Sequence, residues 1–295
     1  MERHGKVTAS ILGPNTGVAE GEVTSCLLGP FVGFHHQALL IAVLWPEGKG
    51  NVGYGANVGS NHTSKAPDQE FWPGEGTFLG LGVNIKYPAD FSRAPYSIIA
   101  SGVTTLPQKI TFPFSLVNSP AAQYPGISPA YNEIVPGWVL TDNMFTLKRN
   151  EGKYKARNKA KRTRFVFDVF RPEIVQLMCE AGRALEAVWE VKEVYTDREI
   201  EGLGKNYMLE VNRRPAIEAY RCFIRYYALF GLKDRIQKLV QQRQLPALPR
   251  LLETSSNDQP WEHQRGLLYD EFGIRDIVSA LRELPGMLEK VAGDV

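Results

Sequence analysis

Cysteine is nearly missing from this chain of 295 residues: Cys26, Cys179 and Cys222 are an odd, scattered set without CxxC spacing. That excludes a disulfide framework and argues against a structural zinc site. Long apolar runs are also absent. No stretch approaches the ~18 apolar residues that span a bilayer, and the polar first ten residues lack the apolar core of a secretory signal. Nor does one sign of charge dominate, since the net charge is +2, so neither nucleic acid nor a membrane follows as partner of the whole molecule. These absences point to a cytoplasmic protein. With 43% hydrophobic residues the chain can bury a sizeable core, and its length suits two domains. Residues 1–118 hold 16 of the 27 glycines and 15 charged residues, whereas 119–295 hold 51 charged residues. The first part is punctuated and neutral; the second reads as charged helices.

A six-residue beat runs through the first part. Leu28, Phe34, Leu40, Val52 and Val58 are separated by six or twelve, and Gly29, Gly53 and Gly59 each follow a member of that series. Leu12-Gly13 and Val18-Ala19 keep the interval in a shifted register, and it resumes less cleanly at Leu79-Gly80, Ile85, Phe91-Ser92, Ser97 and Val103-Thr104. Neither an α-helix nor an alternating strand repeats every six residues, whereas a triangular parallel β-helix does. Each hexapeptide makes one short strand and one corner, with an aliphatic residue pointing inward and a small residue after it. A β-sandwich with frequent glycine turns is the alternative. It fits poorly, because strict alternation is scarce and the glycine spacing is regular.

The predicted fold class is mixed β and α: a β-helix over 1–118, an irregular strap with a basic segment over 119–164, and an α-helical domain over 165–295. The strap is rich in Pro and aromatic residues, which predicts packing along the prism. A helix is predicted from Pro172 through Trp189, a second after the Thr196–Glu199 capping box, and a third from Pro215 to Gly231. Ile236–Val240 and Ile277–Val291 supply further helical pieces.

Residues 77–118, and SIIASGVTTLP (97–107) above all, resemble the closing coils of the hexapeptide-repeat transferase superfamily. More narrowly, VGYGANVGSNHTSKAPDQEFWPGEG (52–76) is similar to a bacterial family of unassigned function, related to sugar-nucleotide pyrophosphorylases and acyltransferases. The resemblance implies a left-handed parallel β-helix and acyl transfer to a sugar or nucleotide-sugar acceptor. It also implies a coenzyme A thioester as co-substrate, no metal, and a homotrimer whose intersubunit groove completes the site.

In such enzymes one coil-borne histidine acts as general base, which implies that role for His62, at the mouth of an insertion expected over Lys65 to Gly76. Imidazole suits it because its pKa lies near neutrality. Asp68 or Glu70 can fix the ring's tautomer. Asn57, Asn61 and Asn84 can present amides to a carbonyl oxygen, although Asn at a β-helix corner also serves geometry. Lys49, Lys65, Lys86 and Arg93 can dock the pyrophosphate of coenzyme A or of a nucleotide sugar. Two other readings remain open. One is a non-catalytic trimeric scaffold or regulatory module; the other is a metal-dependent β-helix hydratase using His35, His36 and His62 between subunits. Lys148 to Arg164 carries nine basic residues and one acid. Tyr154 is the lone aromatic ring inside that run, which makes nucleic acid an unfavoured partner.

Overall fold

A computed structural model describes residues 4–59 and 69–293. Eighteen strands wind there into a parallel β-helix of six coils, three strands to each. The first coil comprises β1 (Lys6–Thr8), β2 (Ile11–Leu12) and β3 (Gly17–Val18), the second β4 (Glu22–Thr24), β5 (Leu27–Leu28) and β6 (Gly33–Phe34). The third holds β7 (Leu39–Ile41), β8 (Leu44–Trp45) and β9 (Asn51–Val52), the fourth β10 (Asn57–Val58), β11 (Phe71–Trp72) and β12 (Phe78–Leu79). The fifth holds β13 (Asn84–Ile85), β14 (Ala89–Asp90) and β15 (Ile98–Ile99), the sixth β16 (Thr104–Thr105), β17 (Gln108–Lys109) and β18 (Leu116–Asn118). Each face stacks one strand per coil in parallel register. On the second face a Val43–Phe71 bridge carries the stack from β8 to β11.

Inward columns run the length of the prism. Val7, Val23, Leu40, Val58, Ile85 and Thr105 form the first. Val18, Phe34, Val52, Leu79, Ile99 and Val117 form the third. All but Val7 are buried, and each such aliphatic side chain contributes about 1.5–3 kcal/mol of transfer free energy. Val18 pairs with Phe34 after 16 residues and Phe34 with Val52 after 18, which is why the earliest pair of the beat stands in a shifted register. Further on, Phe91, Ser97 and Val103 are buried, yet the residues that keep strand register are Ala89, Ile99 and Thr105, two positions away.

Where glycine follows an inward side chain, as at Gly29, Gly53 and Gly80, close approach of the next coil requires it. A Cβ on Gly29 would stand 2.1 Å from the Pro46 carbonyl oxygen of the next coil, and one on Gly53 would stand 2.7 Å from the Gly80 backbone. Apart from Gly59, left-handed backbone in the coils falls at other corner positions, several of which carry side chains: Phe31, Lys49, Tyr96 and Phe114 have φ between +55° and +59°. These four share one corner, linked coil to coil by backbone hydrogen bonds. Each conformation costs on the order of 1 kcal/mol, which burial of Phe31, Tyr96 and Phe114 offsets.

Beyond the coils, β19 (Asn132–Val135) pairs antiparallel with β18 and parallel with β21 (Asn206–Leu209), which pairs with β20 (Val194–Tyr195). The described residues also form six α-helices: α1 (Trp138–Asp142), α2 (Met144–Arg157), α3 (Pro172–Glu186), α4 (Glu210–Gln241), α5 (Gln259–Gly266) and α6 (Ile277–Gly293). The last coil is capped by this region. The Tyr220 hydroxyl of α4 donates to the Pro113 carbonyl at 2.6 Å, and Asn206 Nδ2 donates to Gln108 Oε1 at 2.8 Å. The hydrophobic core runs without a break from Val18 to Tyr227. No described helix is long and apolar enough to cross a membrane.

Several helical expectations change. The Thr196–Glu199 box forms, with Glu199 accepting from the Thr196 backbone at 2.9 Å, but it closes a turn and starts no helix. Pro215 does not open the third helix; it is the sixth residue of α4, where it leaves the carbonyl of exposed Val211 without its i→i−4 donor. Gly231 does not end that helix either, for its bare backbone meets the Gln264 side chain of α5. Trp189, expected on the buried face of α3, lies beyond the helix and is 92% exposed. Most of 119–131 is exposed, and the element that runs along the prism is α2 with the return segment 158–171. Val139 bonds to Phe114 on the sixth coil, Tyr154 to Lys49 on the third and Asn158 to Asn15 on the first. The chain then climbs back through Phe165 and Phe167 against Phe31, and Phe170 against Phe114.

Candidate functional site

Coil 4 departs from the others at its first corner. Val58 and Phe71 are thirteen residues apart, whereas Leu40 and Val43, their in-register neighbours one coil earlier, are three apart. The insertion therefore begins just after Gly59, earlier than the sequence suggested, and Gly76 belongs to the regular corner that follows. Asn61, His62, Lys65 and Asp68 all fall inside it and lie outside the described residues. Its two stems are described. Gly59 has φ +94°, and a Cβ there would meet Ile41 O and the Tyr87 ring, whose hydroxyl donates to that same carbonyl. At the other stem Glu70 accepts from Trp72 Nε1 at 2.9 Å.

Asn57 and Asn84 stand in register on adjacent coils of the face leading into the insertion. Val58 and Ile85 point inward, so strand alternation sets both amides on the outer side. Their Oδ1 atoms are buried and have no donor among the described residues, which sets two acceptors one rung apart. Lys86, two residues beyond Asn84, is half-buried. On the second face, beside the Glu70 stem, a groove of about 590 Å³ is lined by Glu70, Trp72, Asp90, Gln108 and Lys109. Lys109 and Asp90 face each other at 3.5 Å. The second face thus gathers two carboxylates, a half-exposed indole and a cation around one concavity next to the stem at Glu70.

Lys49 and Arg93 are held elsewhere. Lys49 Nζ contacts Glu75 Oε1 at 2.8 Å beneath the α2 hairpin, and its side chain is 10% exposed. Arg171 pairs with both Glu75 oxygens, and the Tyr96 hydroxyl donates to Oε1 at 2.6 Å. Burial alone would raise the Glu75 pKa; the Arg171 hydrogen bonds and charge, with Lys49, outweigh it and hold the carboxyl below its ordinary value. Burial, and the adjacent Glu75 charge, push the Tyr96 phenol up. No spacing in the sequence announces this cluster, because Lys49, Glu75 and Arg171 come from two coils and the return segment. Arg93 pairs with Glu180 of α3 and fastens the fifth coil to that helix.

His35 and His36 are both exposed on the corner between the third and first faces, and His36 Nδ1 lies 2.8 Å from Glu20 Oε2. Among the described residues no group of three or more His, Cys, Asp or Glu is arranged to hold a metal ion. A second concavity, of about 700 Å³, opens between α2, the return segment, α4 and α5, with Phe170, Tyr226, Phe230, Asp168 and Asp234 on its walls. Lys148 of the basic run and Pro172 at the head of α3 line it, but none of the candidate catalytic or substrate-binding residues does.

No family model matches the chain, and no solved structure matches it. It is 32% identical over 161 residues to an uncharacterized protein of Treponema pallidum (strain Nichols). The aligned part is 52% of this chain and 21% of that protein, so the chain spans about a fifth of its relative's length.

Proposed function

We propose that the chain is a hexapeptide-repeat acyltransferase acting on a sugar or nucleotide-sugar acceptor, with its site at the corner of coil 4. The observation that carries this reading is the ten-residue excess thrown out at a single corner of an otherwise regular prism, next to the groove of Glu70, Trp72, Asp90 and Lys109. Loops expelled from a β-helix commonly form its binding surface, because the coils beneath them hold their stems rigid.

His62, which the sequence puts in this insertion, is the general base of the proposal. The imidazole takes the proton of an acceptor hydroxyl or amine as that oxygen or nitrogen attacks the thioester carbonyl of an acyl-coenzyme A. The carbon–sulfur bond then breaks, and the thiolate takes up the proton the imidazole holds. Asp68 or Glu70 orients the ring. Asn57, Asn61 and Asn84 are the amides of the proposal for polar groups of the acceptor. Lys65 and Lys86 are the cations for a pyrophosphate. Lys49 and Arg93, already matched by Glu75 and Glu180, hold the structure together around the site. A homotrimer, in the cytoplasm, gives the groove its second wall.

His62→Ala tests the reading. Acetyl transfer from acetyl-coenzyme A to nucleotide-sugar acceptors is expected to fall about 100- to 10,000-fold with thermal stability and sedimentation unchanged. Transfer that survives the substitution, or a chain that sediments as a monomer at micromolar concentration, overturns it.

A further inference from the structure

The basic run from Lys148 to Arg164 is built as a ridge. α2 and the return segment turn Met144, Leu147, Tyr154, Phe165 and Phe167 toward the prism, and Tyr154 is anchored by its hydroxyl to the Lys49 carbonyl at 2.7 Å. With the apolar side taken, all nine cations are exposed. Lys155 pairs with Glu151; the other eight have no carboxylate partner among the described residues. So many unmatched charges along one edge attract polyanions strongly, and the release of condensed counterions drives the contact.

Within α2, Phe145, Arg149, Lys153 and Arg157 follow one another at four-residue intervals and share one stripe, each about 6 Å beyond the last. Phe145 is 58% exposed, with the Arg149 guanidinium 6.0 Å from its ring centre. Burial, and then the charges of Arg157 and Arg149, push the Lys153 ammonium down, as expected of cations set along one line without a counterion. An extended phosphodiester backbone can follow such a line of cations, and the ring at its head is a platform for one base. A bilayer is the poorer match, because α2 has already buried its apolar face and would be left to hold an anionic surface by charge alone. The scarcity of rings inside the run disfavours nucleic acid in the sequence; Tyr154, the lone ring there, faces inward, but Phe145, just upstream of the run, takes an outward position.

The geometry points to this ridge as a binding surface for single-stranded nucleic acid, held through its phosphates by Arg149, Lys153 and Arg157 with a base stacked on Phe145.

Fluorescence anisotropy with a labelled oligothymidine of about 20 nucleotides tests it on the full chain. Saturable binding is expected at about 50 mM salt, weakening linearly in log–log form as salt rises. The triple variant Arg149→Gln/Lys153→Gln/Arg157→Gln should lose at least tenfold in affinity at low salt and about 2 from the salt slope. Phe145→Ala should weaken binding roughly 5- to 100-fold with the slope unchanged. Circular dichroism checks that the variants fold, and the salt slope of the unmodified chain tests the electrostatic part without any substitution. Absence of binding at micromolar protein, equal affinity in the triple variant, or tighter binding of a duplex of the same length overturns the assignment. So does sedimentation with phosphatidylserine vesicles by a chain that ignores the oligonucleotide.

Discussion

Thr105 occupies a place that the rest of its column fills with Val, Leu or Ile. Its hydroxyl is fully buried and has no hydrogen-bond partner. Valine has the same shape without the unmet polar group, so Thr105→Val is expected to stabilise the chain by about 1 kcal/mol, seen as a higher urea midpoint at unchanged slope. A drop in the midpoint would show that the hydroxyl has a role in the native packing. Gly29 is the opposite case. Its missing Cβ is what lets the next coil approach, and Gly29→Ala should cost about 1–3 kcal/mol through forced separation of backbones. Gly17, with nothing within 4 Å of its would-be Cβ, is the control: Gly17→Ala should leave the midpoint nearly unchanged or raise it. The beat in the sequence marked Gly29 as a small-residue position, whereas the different tolerance of Gly17 is visible only once neighbouring coils are in place.

Elements are joined here by the carboxylate of Glu75. It belongs to a corner of the fourth coil, yet it gathers Lys49 from the coil before and Arg171 from the return segment, and so ties the α2 hairpin to the prism. Glu75→Gln leaves two nearly buried cations without their counterion, and a loss of about 3–5 kcal/mol is expected in urea unfolding. The sign of the pH effect follows from the lowered pKa. The stabilisation is complete above the ordinary carboxylate value near 4.5 and is lost as pH falls through the lower folded value. Glu210 shares this acid limb: hydrogen bonds from Arg213 foremost, then Tyr195 and Arg214, pull its carboxyl down to about 2 against a burial that works the other way. Stability of the unmodified chain should therefore fall between about pH 4.5 and 2, and Glu75→Gln should flatten that fall without removing it. An identical acid limb in the variant would show that Glu75 titrates no differently in the folded and unfolded chain.

At the scale of the whole molecule, a β-helix with one interrupted coil is backed by helices that cap its last rung and lay a basic ridge along one corner. The proposed acyl-transfer corner and the ridge lie on different edges of the prism, since the insertion leaves between the first and second faces while α2 covers the corner between the second and third. Substitutions on the ridge are accordingly expected to leave any acyl transfer unchanged, and His62→Ala to leave oligonucleotide affinity unchanged. Each can be measured on the same preparations, and cross-talk in either direction would mean the two surfaces belong to one site.

The coiled architecture was legible in the chain itself because stacking imposes a local rule: one inward apolar residue per short strand, followed by a small residue where the next coil comes close. Val52 with Gly53 and Leu79 with Gly80 obey it, and the neutral, glycine-rich composition of the first 118 residues is its consequence. The helix at Pro172 was legible for the same reason, its stripe and first residue being local signals. What waited for the tertiary structure were the properties that depend on distant partners. Lys49 reads in the sequence as a free cation and becomes a buried ion pair only when Glu75 and Arg171 arrive beside it. Tyr154 turns inward, and α4 runs on through Pro215 and through Gly231, where the Gln264 side chain of α5 packs against its bare backbone. Periodicity records what each residue demands of its neighbours along the chain; charge pairing, exposure and helix ends are decided by what folding brings across it.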